Sequence, residues 1–286
     1  MSGFDAGWLA LRAPHDAAAR DTGLADAFAA AAGRPLRLVD IGAGTGANVR
    51  VLAAGLRGNQ DWTLVDRDRA LLAAALEETD AWARRKGWPV QHESGALKVV
   101  THKEIFRLRT VELDLARRLD RLDLARRNGV TASAFLDLVS ADWLDRLAAR
   151  TAAAHLPVYA ALTFDGRVDW TPPDPDDGAV RDALCRHQRR DKGFGPALGS
   201  DAAGHMAERW GGHDYAVRAA ASDWHLAVED DALQSAYVAV QVAAALDDGT
   251  LAADRVQAWA DRRRGHIAAG TSRLVVGHRD VLAIPR

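Results

Sequence analysis

Two carboxylates and a run of glycines carry the chemistry written most plainly into this chain. From Leu36 to Asn48 an apolar stretch ends on Asp40, a turn holds Gly42, Gly44 and Gly46, and Asn48 stands where a helix would start. A second compact apolar run, Trp62–Val65, delivers Asp66. Glycines let the backbone bend sharply and approach a ligand closely. Carboxylates at the ends of successive parallel strands lie where open α/β sheets bind ligands. The chemistry expected of such a group is nucleotide recognition, with Asp66 accepting from sugar hydroxyls.

Spacing alone does not say which nucleotide. Gly42, Gly44 and Ala47 satisfy the G-x-G-x-x-A form of dinucleotide enzymes, and Asp66 follows 24 residues after Gly42, near the roughly 20 of that pattern. A nicotinamide- or flavin-dependent oxidoreductase is therefore one reading, and a loop without a nucleotide another. Three features favour a different one: Asp40 two residues before the first glycine, the third glycine at Gly46, and a third strand ending in Glu-Leu-Asp114-Leu115.

The run Val39–Asn48 resembles motif I of the class I S-adenosylmethionine (SAM) dependent methyltransferases, and the tail resembles those of bacterial small-molecule members. The resemblance implies that Asp40 lies near the methionine amino group, that Asp66 binds the ribose hydroxyls and that Asp114, followed by Leu115, meets the adenine. Gly42, Gly44, Gly46 and Asn48 would pass beside the methionyl and ribose portion. Ser140-Ala141-Asp142-Trp143 resembles the motif IV region, which passes the sulfonium and adenine. The Asn-Pro-Pro-Tyr motif of base and glutamine methylation is absent there, which argues against DNA adenine or release-factor substrates.

The elements that must position these groups alternate as a parallel sheet requires. The expected fold is a doubly wound, mostly parallel seven-stranded sheet with an antiparallel last strand, in one domain spanning residues 1–286. Residues 1–33 form an N-terminal helical cap, and residues 171–200 a lid-like insertion between strands five and six. Periodicity predicts a helix over Ala116–Asn128, strand four at Ala134–Val139 and strand five at Leu156–Phe164. Asp165-Gly166 predicts a hairpin turn, with Arg167–Trp170 returning. Tyr215–Ala219 reads as strand six, Asp231–Leu246 and Ala253–Ala268 as amphipathic helices, and Ser272–Ile284 as strand material.

The acceptor side is less sharply marked. On the cap, Arg12 or Arg20 is placed to meet the methionyl carboxylate, and the competing reading is a surface pair with Asp16 at i,i+4 spacing. Gly193, Gly195 and Pro196 punctuate the insertion like hinges. His187, Arg190 and Lys192 beside them, with Trp170 upstream and Trp224 and His225 after strand six, are expected to form the acceptor pocket. Aromatics would supply a wall, cations would favour a carboxylate or phosphate, and His187 or His225 would be the general base. A surface ion-pair cluster is the bland alternative.

Composition bounds these readings. The chain has 286 residues, 48% hydrophobic, with a formal charge of -2, so it can bury a sizeable core and carries no basic field for nucleic acid. Arg84-Arg85-Lys86 and Arg262-Arg263-Arg264 read as solvated helix ends. Cys185 is the only cysteine, which excludes an intramolecular disulfide and a cysteine-rich zinc site. His187, His205, His213 and His225 lack metal-ligand spacing, so no metal is expected. No signal pattern or bilayer-length apolar run is seen, and the expectation is a cytoplasmic SAM-dependent enzyme with a small-molecule acceptor, no nucleic acid and no membrane. A catalytically inactive SAM-binding scaffold is the non-enzymatic alternative.

Overall fold

The computed structural model of the chain describes residues 6–93, 95–101 and 104–286, so residues 1–5 of the expected cap lie outside the described residues. The chain begins with α1 (Ala6–Ala19) and α2 (Thr22–Ala32), then β1 (Leu36–Ile41), α3 (Ala47–Gly55), β2 (Gln60–Asp66) and α4 (Arg69–Arg85). There follow β3 (Val90–Glu93), β4 (Ala96–Val100), β5 (Ile105–Glu112), α5 (Leu115–Arg118), β6 (Gly129–Ser133), α6 (Ala141–Ala153) and β7 (Val158–Thr171). The last part holds α7 (Asp177–Gln188), α8 (Ala202–Gly212), β8 (Tyr215–Ala221), β9 (Trp224–Leu226), α9 (Asp231–Asp248), α10 (Ala253–Ala268) and β10 (Arg273–Pro285).

These strands form one sheet of order β3-β4-β5-β2-β1-β6-β7-β10-β8, with β9 paired to β10 beyond β8. Strands β5, β2, β1, β6 and β7 are parallel. β10 inserts antiparallel between β7 and β8. The expected seven strands are thus present, but the sheet has ten. The β3–β4 hairpin extends it antiparallel beyond β5, and β9 adds a short edge.

Four local expectations are corrected. Strand four is Gly129–Ser133, not Ala134–Val139, whose residues turn through a short 3-10 segment at Leu136–Leu138. Phe135, Leu136 and Val139 nonetheless enter the core, so their apolarity marks burial rather than a strand. Gly129 is required because a Cβ there would stand 2.6 Å from the Phe28 ring. The helix expected over Ala116–Asn128 ends by Arg121, counting its last 3-10 turn, and Leu119, Leu122 and Leu124 are buried along an irregular path. Asp165-Gly166 makes no hairpin. β7 is one strand of 14 residues, and the pair falls at a register shift where Phe164 faces His278 and Val168 faces Val276. The two extra residues form a bulge, for which Gly166 supplies φ +91°. Arg263, finally, is fully buried rather than solvated.

The long strands create the architecture that matters for the site. β6 reaches only to the Ser133–Ala161 pairing, so residues 162–171 of β7 run on past the parallel sheet by roughly 30 Å at strand rise. They pair with the first half of β10, which also carries β9. Trp170, Trp224, Trp259, Tyr237 and their neighbours join this extension to α7, α9 and α10 in a separate apolar cluster, and Trp8 and Leu11 of α1 pack on it. A cap therefore stands above the carboxyl ends of β6 and β7. Asp280 of β10 anchors it: its carboxylate accepts from Tyr159 Oη at 2.6 Å, Leu162 N at 2.9 Å and Asp21 N at 3.0 Å, tying the α1–α2 junction to the sheet.

Candidate functional site

The glycine turn leaves β1 and curls beneath Asp66. Ala43 N donates to Val65 O, and Gly44 N donates to Asp66 Oδ2 at 2.8 Å. Gly42 has φ +64°, and a Cβ on it would lie 2.4 Å from the Phe135 ring, so only glycine fits. Asp66 Oδ1 also accepts from Asp68 N at 3.0 Å, which leaves this carboxylate half-buried and oriented with lone pairs to spare. The cap of α4 is Asp68, whose side chain accepts from Ala70 N and Leu71 N.

A charged chain crosses the ends of β1 and β6. Arg20 Nη1 donates to Asn48 Oδ1 at 2.5 Å and Nη2 to Ser133 Oγ at 2.8 Å. Asn48 Nδ2 in turn donates to Asp40 Oδ1 at 2.5 Å, and Thr131 Oγ1 donates to the same oxygen at 2.7 Å. Asp40 Oδ2 is buried with no partner. Burial pushes the Asp40 carboxyl up to about 6, against the lowering effect of Thr131, Asn48 and Arg20. Asp16 takes Arg12 rather than Arg20 as its side-chain partner, through Nε at 2.9 Å and Nη2 at 3.1 Å.

Beyond Asp66 opens a cleft of about 820 Å³ lined by Arg67, Arg69, Glu112, Asp114, Arg118 and Arg121 among others. Asp114 borders it while capping α5, accepting from Ala116 N at 3.0 Å. Leu115 is buried, and its carbonyl accepts from Trp143 Nε1. Ser140 caps α6 by accepting from Trp143 N. The loop after α7 comes down on this edge. Phe194 meets Phe135 at 5.5 Å and Trp143 at 5.4 Å, and a Cβ on Gly193 would come within 3.4 Å of Arg67 Nη1.

The residues expected on the acceptor side divide: His187, Arg190 and Lys192 stay together beside α9, Trp170 and Trp224 share the apolar cluster of the cap, and His225 is at the surface. His187 lies 3.4 Å from Asp247, to which Arg190 also donates, so both belong to an ion-pair seam between α7 and α9. Burial and the nearby Lys192 lower the His187 pKa, and burial also lowers that of Lys192. Trp170 is buried in the cap, donating to Gln241 Oε1 at 3.0 Å beneath the Arg263 guanidinium. His225 is exposed on the opposite face of β9 from the buried Trp224, as strand alternation dictates. Trp224 is buried, and its Nε1 donates to Asp16 Oδ1 at 3.0 Å.

Two buried ionisable groups were not marked by periodicity. Asp137 lies on the turn after β6 with Oδ1 unpartnered, and burial raises its carboxyl to about 6. His278 of β10 has Nδ1 unpartnered, and burial lowers it to about 4. Placing strand four at Gly129–Ser133 would have put Asp137 on a site loop. Among the described residues, no group of three or more His, Cys, Asp or Glu is placed to hold a metal, and no helix is long and apolar enough to cross a membrane.

No family model matches this sequence, and no curated protein matches it. Among solved structures, the chain is similar to a cyclopropane-fatty-acyl-phospholipid synthase-like protein from Lactobacillus casei, at 17% identity and TM-score 0.49 over 95% of this chain and 92% of that one. It is also similar to a SAM-dependent methyltransferase from Geobacter sulfurreducens in complex with S-adenosyl-L-homocysteine, at 14% identity and TM-score 0.44 over 94% and 92%. A SAM-dependent methyltransferase from Thiobacillus denitrificans in the same complex gives 13% identity and TM-score 0.43 over 94% and 93%. At such scores, function has to be argued from the site itself.

Proposed function

We propose that this chain is a SAM-dependent methyltransferase that moves a methyl group to an oxygen or nitrogen of a small molecule. The observation that carries the reading is the juxtaposition of Arg20 and the unpartnered Asp40 Oδ2, bridged by Asn48. A fixed cation beside a buried carboxyl oxygen suits the carboxylate and ammonium of an α-amino acid such as the methionyl end of SAM. A pyrophosphate offers no ammonium to that oxygen. The antiparallel β10 supports the same reading, because a dinucleotide fold continues with parallel strands on that side to build its second nucleotide half.

SAM supplies an electrophilic methyl on a sulfonium, so the protein's task is positioning and proton removal. Asp66 accepts from the ribose hydroxyls, the cleft bordered by Asp114 takes the adenine, and Arg20 holds the carboxylate. Phe135, Trp143 and Phe194 shield the edge from water. The described residues 6–33 act as a cap over the methionyl end, and the 193–198 part of the 171–200 segment acts as a lid at β6.

S-Adenosylhomocysteine is expected to raise the melting temperature, while NAD, NADP and FAD leave it unchanged. A native-state ligand at a hundredfold excess over Kd stabilises by about 2.7 kcal/mol, or roughly 4–5 °C for a chain of this size. A shift with NADP and none with S-adenosylhomocysteine points instead to an oxidoreductase. Binding without turnover across a metabolite panel points to a scaffold.

Asp40 also predicts a pH dependence. Its folded carboxyl titrates at about 6, and only the carboxylate attracts an ammonium. S-Adenosylhomocysteine affinity should therefore be constant above pH 7 and fall by up to about tenfold per unit as pH drops below 6. Calorimetry from pH 5 to 8 measures this, and a flat profile would remove Asp40 from the ammonium site.

A further inference from the structure

Trp8, Arg12 and Asp16 recur every fourth residue on α1 and present one face to Trp224 of β9. Trp8 meets that ring at 6.4 Å, the Arg12 guanidinium lies 4.9 Å above it, and Asp16 accepts from its Nε1. The His278 ring lies 4.9 Å from the same Trp224 ring and 6.2 Å from Phe164. Arg12 is the charged group that acts on both His278 and Asp137, and Asp16 and Asp165 also face His278. The positive charge of Arg12 is matched by its two bonds to Asp16. His278 Nδ1 in this cluster, paired with Phe164 of β7, and Asp137 Oδ1, on the turn that packs against β7, are buried with no partner.

Leaving such atoms unpaired is costly, and a hydrogen-bond donor relieves it. An anion does not, since it would face the Asp137 carboxylate. The expected carboxylate or phosphate on the acceptor is thereby replaced by a donor on an apolar ring. We propose that this cluster is the acceptor site, that it takes a neutral phenol whose hydroxyl lies between Asp137 and His278, and that Asp137 receives the proton. The proposal rests on the methyltransferase reading.

In the step, the phenol oxygen forms the new bond to the methyl carbon as the sulfur–methyl bond breaks. The electron pair of that bond stays on sulfur, giving the neutral thioether, and the hydroxyl proton passes to the Asp137 carboxylate. Burial supports the division of roles. It lifts Asp137 towards neutrality, where a carboxylate is an effective base, and holds His278 uncharged as a hydrogen-bonding partner. Arg12 covers the Trp224 face that the ring would take, so α1 must shift to admit it, which makes the N-terminal helix the acceptor's gate.

The test uses the full chain, with and without S-adenosylhomocysteine, and three matched probes: 4-ethylphenol, 4-ethylanisole and 4-ethylbenzoate. Affinities are read by calorimetry and by quenching of tryptophan emission. The phenol should bind at least about 30-fold more tightly than the anisole or the benzoate. Asp137→Asn should keep phenol affinity within a few fold while lowering methyl transfer from SAM about 100-fold or more, and His278→Phe should abolish the preference over the anisole. Circular dichroism checks that the variants fold, and the wild-type probe series stands if they do not. Benzoate binding more tightly than phenol, equal binding of anisole, or no binding of any probe would overturn the proposal. Phenol discrimination without binding of S-adenosylhomocysteine or SAM would support the site and defeat the methyltransferase reading alone.

Discussion

Asp66→Ala lowers S-adenosylhomocysteine affinity by about 100-fold or more in the expected outcome, because two charge-assisted hydrogen bonds of roughly 1.5–3 kcal/mol each leave with the carboxylate. The structure adds a second contribution. Asp66 also accepts from Gly44 N and Asp68 N, so its loss loosens the glycine turn that approaches the ligand. Asp66→Asn separates the two, since one amide oxygen can still hold Gly44 N while the NH2 group accepts nothing. The asparagine variant, which keeps one of the two backbone bonds, should recover part of the lost melting temperature of the unliganded protein and a smaller part of the affinity. Calorimetry and thermal unfolding of both variants measure this. Near wild-type affinity in Asp66→Ala would reduce Asp66 to a loop staple.

For the fold, the largest single effect is expected at Arg263. Its side chain is fully buried; Nε and Nη2 donate to the two oxygens of Asp177, and Nη1 donates to Pro172 O at 2.6 Å. Its guanidinium also lies 5.3 Å from the Trp170 ring centroid. Arg263→Ala leaves the Asp177 carboxylate with Trp259 Nε1 as its remaining side-chain donor and opens space against Trp170. Removing one partner of a buried pair costs about 3–5 kcal/mol, which corresponds to a fall in melting temperature of roughly 5–8 °C. Arg263→Lys keeps the charge without the planar fork and should recover less than half of that. Urea unfolding gives the comparison directly, and a loss below about 1 kcal/mol in the alanine variant would show that the cap does not depend on this pair. S-Adenosylhomocysteine binding by the folded fraction should be unchanged, because Arg263 is part of the cap and not of the glycine edge.

The sequence by itself determined what depends on neighbours within a few residues. The glycine turn, Asp40 and Asp66 at strand ends, Asn48 at a helix start and the helices at α9 and α10 are all local matters of backbone sterics and periodicity. They lie where the residues predicted them. Arg20 was expected to meet a methionyl carboxylate or to pair with Asp16, and only packing set its side chain on Asn48 and Ser133, which are 28 and 113 residues away. Tertiary structure likewise decided β7. Asp165-Gly166 carries the signal of a tight turn, but β10 pairs along almost the whole strand and absorbs the two residues as a bulge, since the ladder bonds on both sides outweigh a local turn preference. The same applies to Ala134–Val139, whose apolar composition meant burial and not extension, and to Arg263, where a basic run at a helix surface became a buried ion pair once α7 lay against it. His225 and His278 show the limit most clearly. His225 stands between Trp224 and Leu226 and His278 between Gly277 and Arg279, yet β9 turns the first to solvent and β10 turns the second inward. Which face of a strand is buried is set by what packs on it, and the helix that packs there, α1, begins more than 200 residues earlier.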